Sequence, residues 1–479
     1  MSGGVRRVFE DLVMGQRFVA CDREQSFLLP PDVREWLPED HLAWFVIDAV
    51  GEMNLEAFYA AYRVDGRSRP AYDPAMMVAL LLYAYSRGIR SSRVIERCCE
   101  EDVAFRVLAG LQRPDHATIA RFIARHQDAI AGLFGEVLSL CAKQGLATVG
   151  VIAVDGTKVP ANASRDANRD YEQLAREILE EAKAVDAAED ELYGEARGDE
   201  LPEQLRTGEG RRAWLREAKR RLEEQRLKEA RPVARERTKR LKDAKRRLDE
   251  ELSAEVRANR AYEHYRSGRM KDGRRFGRRP DPYTPPATPP GQMNTSDPDS
   301  RLIKGPRGRG FLQGYNAQAV ANEHQIVIAA EVMTAAPDFG HLEPMLDAVQ
   351  RELEAAGLTE QPGVVVADAG YWHQQQMEHI VDRGIQVLIP PDAKSRSGSR
   401  PGWDGGHYAF MRRVLSTERG GQLYRQRQSM IEPVFAQTKF NRGIDRFRRR
   451  GRAAVRAEWR LINATHNLLK LHRHDLTTA

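Results

Sequence analysis

Cysteine is scarce in this chain. There are four in 479 residues, at Cys21, Cys98, Cys99 and Cys141. None forms a CxxC pair or a zinc-finger spacing, which argues against a thiolate metal site and against a disulfide framework. Reduced, structural thiols are expected. Long apolar runs are also missing: no stretch approaches the ~18 residues that a membrane span needs. The arginines near the N-terminus are not followed by the apolar core of a secretion signal. A cytoplasmic protein with no membrane contact is therefore expected. Nor is there much net charge, since 75 basic against 69 acidic side chains leave only +6. What matters is where the positive charge collects, because a clustered basic face steers polyanions. The length and the 41% hydrophobic content leave ample material for a large core and predict two or three domains.

From about Gln25 to Gly145 the apolar spacing is helical, in His41 to Val50, Pro74 to Tyr85 and Ile119 to Cys141. Asp73-Pro74 and Asp115 read as helix N-terminal signals. Arginines in the connections (Arg87, Arg90, Arg93, Arg113, Arg121 and Arg125) suit either a helix-turn-helix DNA reader or any small helical bundle. At Val149 the texture changes to VGVIAVDGTKV, a β-branched apolar run of the kind found in a buried central strand.

Residues 171 to 280 are dense in charge. Between 171 and 200 there are eleven acidic and three basic side chains, and between 201 and 250 eighteen basic and ten acidic, so the sign reverses along one helical region. Its apolar positions (Leu192, Leu205, Trp214, Leu222, Leu227, Leu241 and Leu248) sustain no heptad seam, and Pro232 is expected to break it. A solvated helical hairpin and a DNA-gripping arm are the two readings. DPYTPPATPPGQ follows as an extended linker. Sheet texture then returns: FLQGYNAQAV and HQIVIAAEVM suit a hairpin, EPMLDAVQRELEAAG an amphipathic helix, and GVVVADAGY and IQVLIPP two further strands.

Asp155 and Asp368 each follow a strongly apolar strand and precede a glycine-containing turn. In open α/β sheets functional groups gather at the carboxyl ends of strands. Two aspartates on neighbouring strands repel each other unless a cation intervenes, and Mg²⁺ is the natural candidate because it takes oxygen ligands and binds alongside substrate phosphate. The helical segment YRQRQSMIEPVFAQTKF supplies a third carboxylate, Glu432. It also carries Lys439 two helical turns further on, with Tyr424 and Arg427 before it. Three carboxylates could hold two metal ions for an in-line phosphoryl displacement, while Tyr424, Arg427 and Lys439 touch the DNA backbone.

These motifs resemble the DDE transposases of bacterial insertion sequences. AVDGTKV resembles the family's first-aspartate strand, GYNAQAV its second strand, and VVADAGY its second-aspartate signature. YRQRQSMIEPVFAQTKFNRGIDRF resembles the Tyr-Arg-Glu-Lys signature, with one departure: four residues separate Arg427 from Glu432 where the commoner pattern has three. FLLPPDVREWLPEDHLAWFVIDAV and PAYDPAMMVALLLYAYSRGIRSSRVIE resemble the accompanying N-terminal domain.

The resemblance implies an α/β fold, with a ribonuclease H-like mixed sheet flanked by helices, a helical N-terminal domain and a charged helical insertion. The boundaries expected are 1–146 for the N-terminal DNA-binding and assembly domain, and 147–168 with 299–440 for the catalytic domain. The insertion and linker would take 169–298, and a basic C-terminal segment 441–479. Catalytic and metal-holding roles fall to Asp155, Asp368 and Glu432, with Mg²⁺ as cofactor and Mn²⁺ as a substitute. The partners implied are double-stranded DNA, as terminal inverted repeats and target, and a second copy of the chain in a synaptic homodimer.

Residues 441 to 460 hold eight arginines and only two acids. A polyanion is expected here, contacting Arg442, Arg446, Arg448, Arg449 and Arg450. Trp459, Ile462, His466 and Leu469 share one helical face suited to packing. Two rival functions are a ribonuclease H-like DNA nuclease without strand transfer, and a catalytically inactive DNA-binding relic.

Overall fold

The structure is a computed structural model describing residues 18–19, 32–62, 70–193, 232–266, 284–305, 310–392 and 405–478. Cys21, Leu205, Trp214, Leu222 and Leu227 lie outside these residues, as does the start of the proline-rich linker. The chain forms two compact units, one of residues 1–162 with 302–479 and the other of residues 163–301.

In the first unit the N-terminal part is helical. It comprises α1 (Leu42–Glu52), α2 (Glu56–Tyr59), α3 (Pro74–Ser86), α4 (Ser92–Glu101), α5 (Val103–Leu108), α6 (His116–Arg125) and α7 (Gln127–Lys143). Asp73 caps α3, accepting from Ala75 N–H at 3.0 Å, and Pro74 takes the first turn, where its missing N–H costs nothing. Asp115 caps α6 through Thr118 N–H at 2.6 Å. Helix α3 is apolar on every face and buried from Met76 to Ser86, so it forms the centre of this bundle rather than its edge. Leu80, Leu81 and Leu82 are 0% exposed, each contributing roughly 1.5–3 kcal/mol of burial.

The second unit holds α8 (Tyr171–Tyr193) and α9 (Pro232–Arg266), which pack on each other. Leu241, Ala244 and Leu248, at helical spacing, bury against Leu174 and Met293, with Tyr171 and Ile178 at the margin. The reversal of charge sign has a structural counterpart, because Arg237 of α9 pairs with Glu177 at 3.1 Å and Glu181 at 3.0 Å on α8. Pro232 is the first residue of α9, a position where proline is tolerated, and the residues before it, 194–231, lie outside the described ones. Below the helices, Asn168–Arg169 pairs antiparallel with Met293–Asn294, and Asn294 Nδ2 donates to Asn168 Oδ1 at 2.8 Å.

The sheet of the first unit contains β1 (Val151–Pro160), β2 (Arg301–Lys304), β3 (Phe311–Asn322), β4 (Val327–Met333), β5 (Val364–Ala367) and β6 (Gln386–Leu388). Its order is β6-β5-β1-β3-β2, with β4 also paired to β3. Strands β1, β5 and β6 run parallel, whereas β3 is antiparallel to β1 and β4 to β3. The hairpin expected from FLQGYNAQAV and HQIVIAAEVM is thus formed. The central strands are buried on both faces and correspondingly rich in Val, Ile and Ala.

The remaining helices are α10 (Leu342–Ala355), α11 (Gln374–Asp382), α12 (Gly406–Ser416), α13 (Glu418–Ala436) and α14 (Arg452–Thr478). Helix α14 packs on α3, α7 and β4, which places this C-terminal segment in the core of the first unit. Trp459 is 1% exposed and donates Nε1–H to the Gln318 carbonyl at 2.9 Å. Arg460 lies in a buried ion pair with Glu352 at 2.6 Å.

His466 is buried on α14, with Nε2 at 2.9 Å from the Gln325 carbonyl. Burial, reinforced by Arg442, Lys470 and Arg473, lowers its pKa to about 3. The folded chain keeps it neutral, while the unfolded chain takes up a proton below about 6.5. Its stabilisation is complete above that value and is lost as pH falls towards the folded pKa, at about 1.4 kcal/mol per unit. His126, lowered to about 4 by burial, acts in the same direction. Urea titrations at pH 7 and pH 5 should therefore show a loss of roughly 2 kcal/mol attributable to His466, and His466→Gln should remove that part of the pH dependence.

Candidate active site

The site starts from strand register. Val154 of β1 pairs with Ala367 of β5 in parallel, so Asp155 and Asp368, each the next residue, leave adjacent strands side by side. Backbone amides orient both. Gly156 N–H donates to Asp155 Oδ1 at 2.8 Å, and Gly370 N–H to Asp368 Oδ1 at 2.8 Å. Burial raises the Asp155 pKa to about 6; Arg427 and the Gly156 amide pull against that rise, while Asp368 and Asp338 add to it. Asp368 is likewise raised by burial and by Asp338.

Helix α13 crosses β1, β3 and β5 and carries the answering groups. Its N-cap is Thr417, whose hydroxyl accepts from Gly420 N–H at 3.1 Å. Arg427 Nη1 donates to Asp155 Oδ2 at 2.7 Å, and Arg427 Nη2 is 3.9 Å from Glu432 Oε1. Burial alone lowers the Arg427 pKa, but the pull of Asp155, Tyr424 and Asp368 outweighs it. The Tyr424 phenol is raised by burial. The Glu432 side chain is 56% exposed against 12% for Arg427, so the glutamate stands at the rim and the arginine inside.

Pro433 follows Glu432 within the helix. It has no N–H for the Ser429 carbonyl, and Gln325 Nε2 supplies the missing donor at 2.9 Å. Immediately after α13 the backbone loosens into a π-helical turn over Gln437–Asn441, a distortion often found at functional sites. That turn delivers Lys439 to β1, where Nζ donates to Thr157 Oγ1 at 2.5 Å and to the Lys158 carbonyl at 3.1 Å. Burial lowers the Lys439 pKa.

The residues expected from the sequence are thus brought together in part. Asp155, Asp368, Tyr424 and Arg427 share one half-buried site, Glu432 borders it, and Lys439 sits further along β1. Arg442 differs from expectation. It is 8% exposed, and its guanidinium donates to the Ile462 carbonyl, Thr465 Oγ1 and Thr438 Oγ1 at 3.1, 2.8 and 3.0 Å. Those bonds tie the π turn to α14, which leaves this arginine no access to a phosphate. Four more arginines of the run are bonded within the chain, since Arg450, Arg452, Arg456 and Arg460 bind Asn162, Val332, Glu331 and Glu352. Arg446, Arg448 and Arg450 stay exposed and Arg449 half-buried. Of the N-terminal arginines, Arg90 is buried against Glu458 at 2.9 Å and so serves packing.

Three further residues of the site were not singled out in the sequence: Asp338, Asn316 and Gln318. Asn316 Nδ2 and Gln318 Nε2 of β3 each donate to Asp338 Oδ1 at 2.8 Å, and Tyr371 O–H donates to Gln318 Oε1. The available signal was the pair of amides two apart within the run Asn316–Ala321, whose other members are Ala and Val. Polar side chains on one buried strand face need partners, and such partners are often functional. Gly156 accommodates this group: a Cβ there would meet Asp338 Oδ1 at 2.6 Å and Asn316 Oδ1 at 2.8 Å.

The fold and these carboxylates define a mixed α/β protein whose pocket of acids opens at the carboxyl ends of parallel strands. A transposase domain family (DUF772) matches residues 31–125, and a transposase DDE domain family matches residues 405–472. The second match spans α13 with Tyr424, Arg427, Glu432 and Lys439. Both agree with the resemblance to insertion-sequence DDE transposases and indicate a transposase, and hence DNA binding. Comparison with curated proteins and with solved structures gives no match. Among the described residues no helix is long and apolar enough to cross a membrane.

Proposed function

We propose that this transposase binds the terminal inverted repeats of its insertion sequence, cleaves DNA at their ends and transfers the 3′ ends to target DNA. Asp155, Asp368 and Glu432 act as its catalytic carboxylates. The observation that carries this reading is the pairing of two half-buried aspartates on adjacent parallel strands under a helix whose Arg427 bonds Asp155 and whose Glu432 stands at the rim. The sheet, in which β3 runs antiparallel to β1 and β4 antiparallel to β3 while β5 and β6 run parallel to β1 on its other side, supports a ribonuclease H-like class.

The donor chemistry suits a divalent cation. Among the described residues the site offers carboxylate and amide oxygens, which is the preference of Mg²⁺. Burial raises both aspartates, Asp338 adds to each and Asp368 adds to Asp155, and a cation beside them relieves that cost. No group of three or more acidic, histidine or cysteine side chains stands in metal-holding arrangement among the described residues, so Asp155 and Asp368 would hold the ion, with Glu432 turning in from the rim. Held there, the ion would supply activation of the attacking oxygen and charge stabilisation of the leaving one. The chain's own groups supply the rest. Lys439 and Arg427 bind backbone phosphates, and Arg446, Arg448, Arg449 and Arg450 extend the basic track along the duplex.

A labelled duplex ending in the element's terminal repeat tests the proposal. Cuts at the repeat end that need Mg²⁺ and disappear in Glu432→Gln are expected, together with joining of the 3′ ends to a target plasmid. Cleavage without joining would identify a nuclease instead. Tight binding with no cleavage in the wild type would point to a DNA-binding relic.

A further inference from the structure

Asp338 lies in the loop between β4 and α10, in TAAPDFGHLEP, away from any strand end. The loop nevertheless brings it to the pocket. Oδ1 is fixed by the amides of Asn316 and Gln318, at 2.8 Å each. Oδ2 faces the Asp368 turn: a Cβ built on Gly370 would lie 2.9 Å from Asp368 Oδ1 and 3.5 Å from Asp338 Oδ2, so the two carboxylates border one point in space. On its other side Asp338 abuts Gly156, the neighbour of Asp155. Both of these donors are neutral amides, so neither brings a positive charge to the Asp338 carboxylate. Arg427, the cation of the pocket, is bonded to Asp155.

We infer that Asp338 is a positioning residue of the active site, a third negative charge that acts through Asp155 and Asp368 to draw the divalent cation into the pocket. The inference rests on the metal-dependent reading above. Its geometry accounts for features that the two aspartates leave unexplained. Asn316 and Gln318 are 0% exposed in the sheet, an arrangement that costs free energy unless their amides are bonded. Asp338 bonds both. Tyr371, three residues after Asp368, closes the network by donating to Gln318, which links the orientation of the Asp368 turn to the position of Asp338. Outer-shell partners of this kind commonly change metal affinity by about 10–100-fold when removed.

The test is Mn²⁺ binding to the full chain without DNA, followed by electron paramagnetic resonance of the free ion. Asp338→Asn preserves the Oδ1 acceptor while removing the charge. Its Kd for Mn²⁺ should rise by about tenfold or more, with a melting temperature close to wild type. Asp338→Glu, which restores the charge, should recover part of the affinity. Asp155→Asn serves as the reference. If Asp155→Asn weakens Mn²⁺ binding and Asp338→Asn does not, the role given to Asp338 is wrong while the metal site stands. If neither changes binding, the metal-dependent reading fails with it. A drop in melting temperature for Asp338→Asn with unchanged Mn²⁺ affinity would reduce Asp338 to a structural bond for Asn316 and Gln318.

Discussion

Asp155→Asn should lower strand cleavage by about 10³-fold or more, while duplex binding stays within a few-fold of wild type. The size follows from losing about 4 kcal/mol of transition-state stabilisation at a metal-assisted phosphoryl centre. The selectivity follows from geometry. Asparagine keeps an oxygen for Gly156 N–H, at 2.8 Å in the wild type, and removes a buried charge whose pKa burial lifts to about 6. The strand therefore has no reason to move. Arg427 loses its main anionic partner but keeps Asp368 within its field, and it becomes freer to meet a phosphate. Gel-shift and cleavage assays on the same protein sample check this. Loss of binding in parallel with cleavage would assign Asp155 to the architecture of the DNA surface instead.

Glu458→Ala should cost about 3–5 kcal/mol of folding stability, the range for removing one partner of a buried ion pair. Glu458 and Arg90 have side chains 1% and 4% exposed and meet at 2.9 Å. The same carboxylate accepts from Arg448 N–H at 2.9 Å and from Arg449 N–H at 3.0 Å. Its removal strands a buried guanidinium and two amides at once. Urea denaturation of the variant measures the loss. Because Glu458 also shapes the backbone that displays Arg448 and Arg449, the salt dependence of DNA binding should change in the folded fraction. A midpoint shifted by less than 1 kcal/mol would show that water takes over the role of the carboxylate.

The sequence exposed the parts of this molecule that depend on local pattern. VGVIAVDGTKV and GVVVADAGY announced two buried strands with terminal aspartates, and Asp73-Pro74 and Asp115 announced helix starts, because apolar runs and caps are short-range signals. That Asp155 and Asp368 would be neighbours followed from their matching position at strand ends. Asp338 was not legible, since an aspartate between proline and Phe339 in a loop looks like a turn former, and only tertiary packing brings it beneath the pocket. Arg442 was misread for the opposite reason. Charge density along the chain says nothing about which side of a helix end faces inward, and five of the eight arginines in that run are held by carbonyls, hydroxyls and acids of the first unit. Pro433 and Gln325 illustrate the same limit, because a proline inside a helix is acceptable only where a distant side chain supplies the absent donor.

The paired segments Asn168–Arg169 and Met293–Asn294 bear on how the chain finds its fold. To form the long contact between β1 and β3, the polymer must close over everything that lies between them. Closing a flexible loop costs entropy that grows only with the logarithm of its length, about 0.6 kcal/mol for each doubling. Once Thr295 N–H bonds the Ala167 carbonyl at 2.9 Å and the short ladder above it zips, the effective loop seen by the sheet is only the chain outside that neck. The helices beyond it become a side branch whose length the sheet does not sense. Material there can lengthen, shorten or be exchanged over generations at little thermodynamic consequence to the catalytic strands, provided the neck itself is kept.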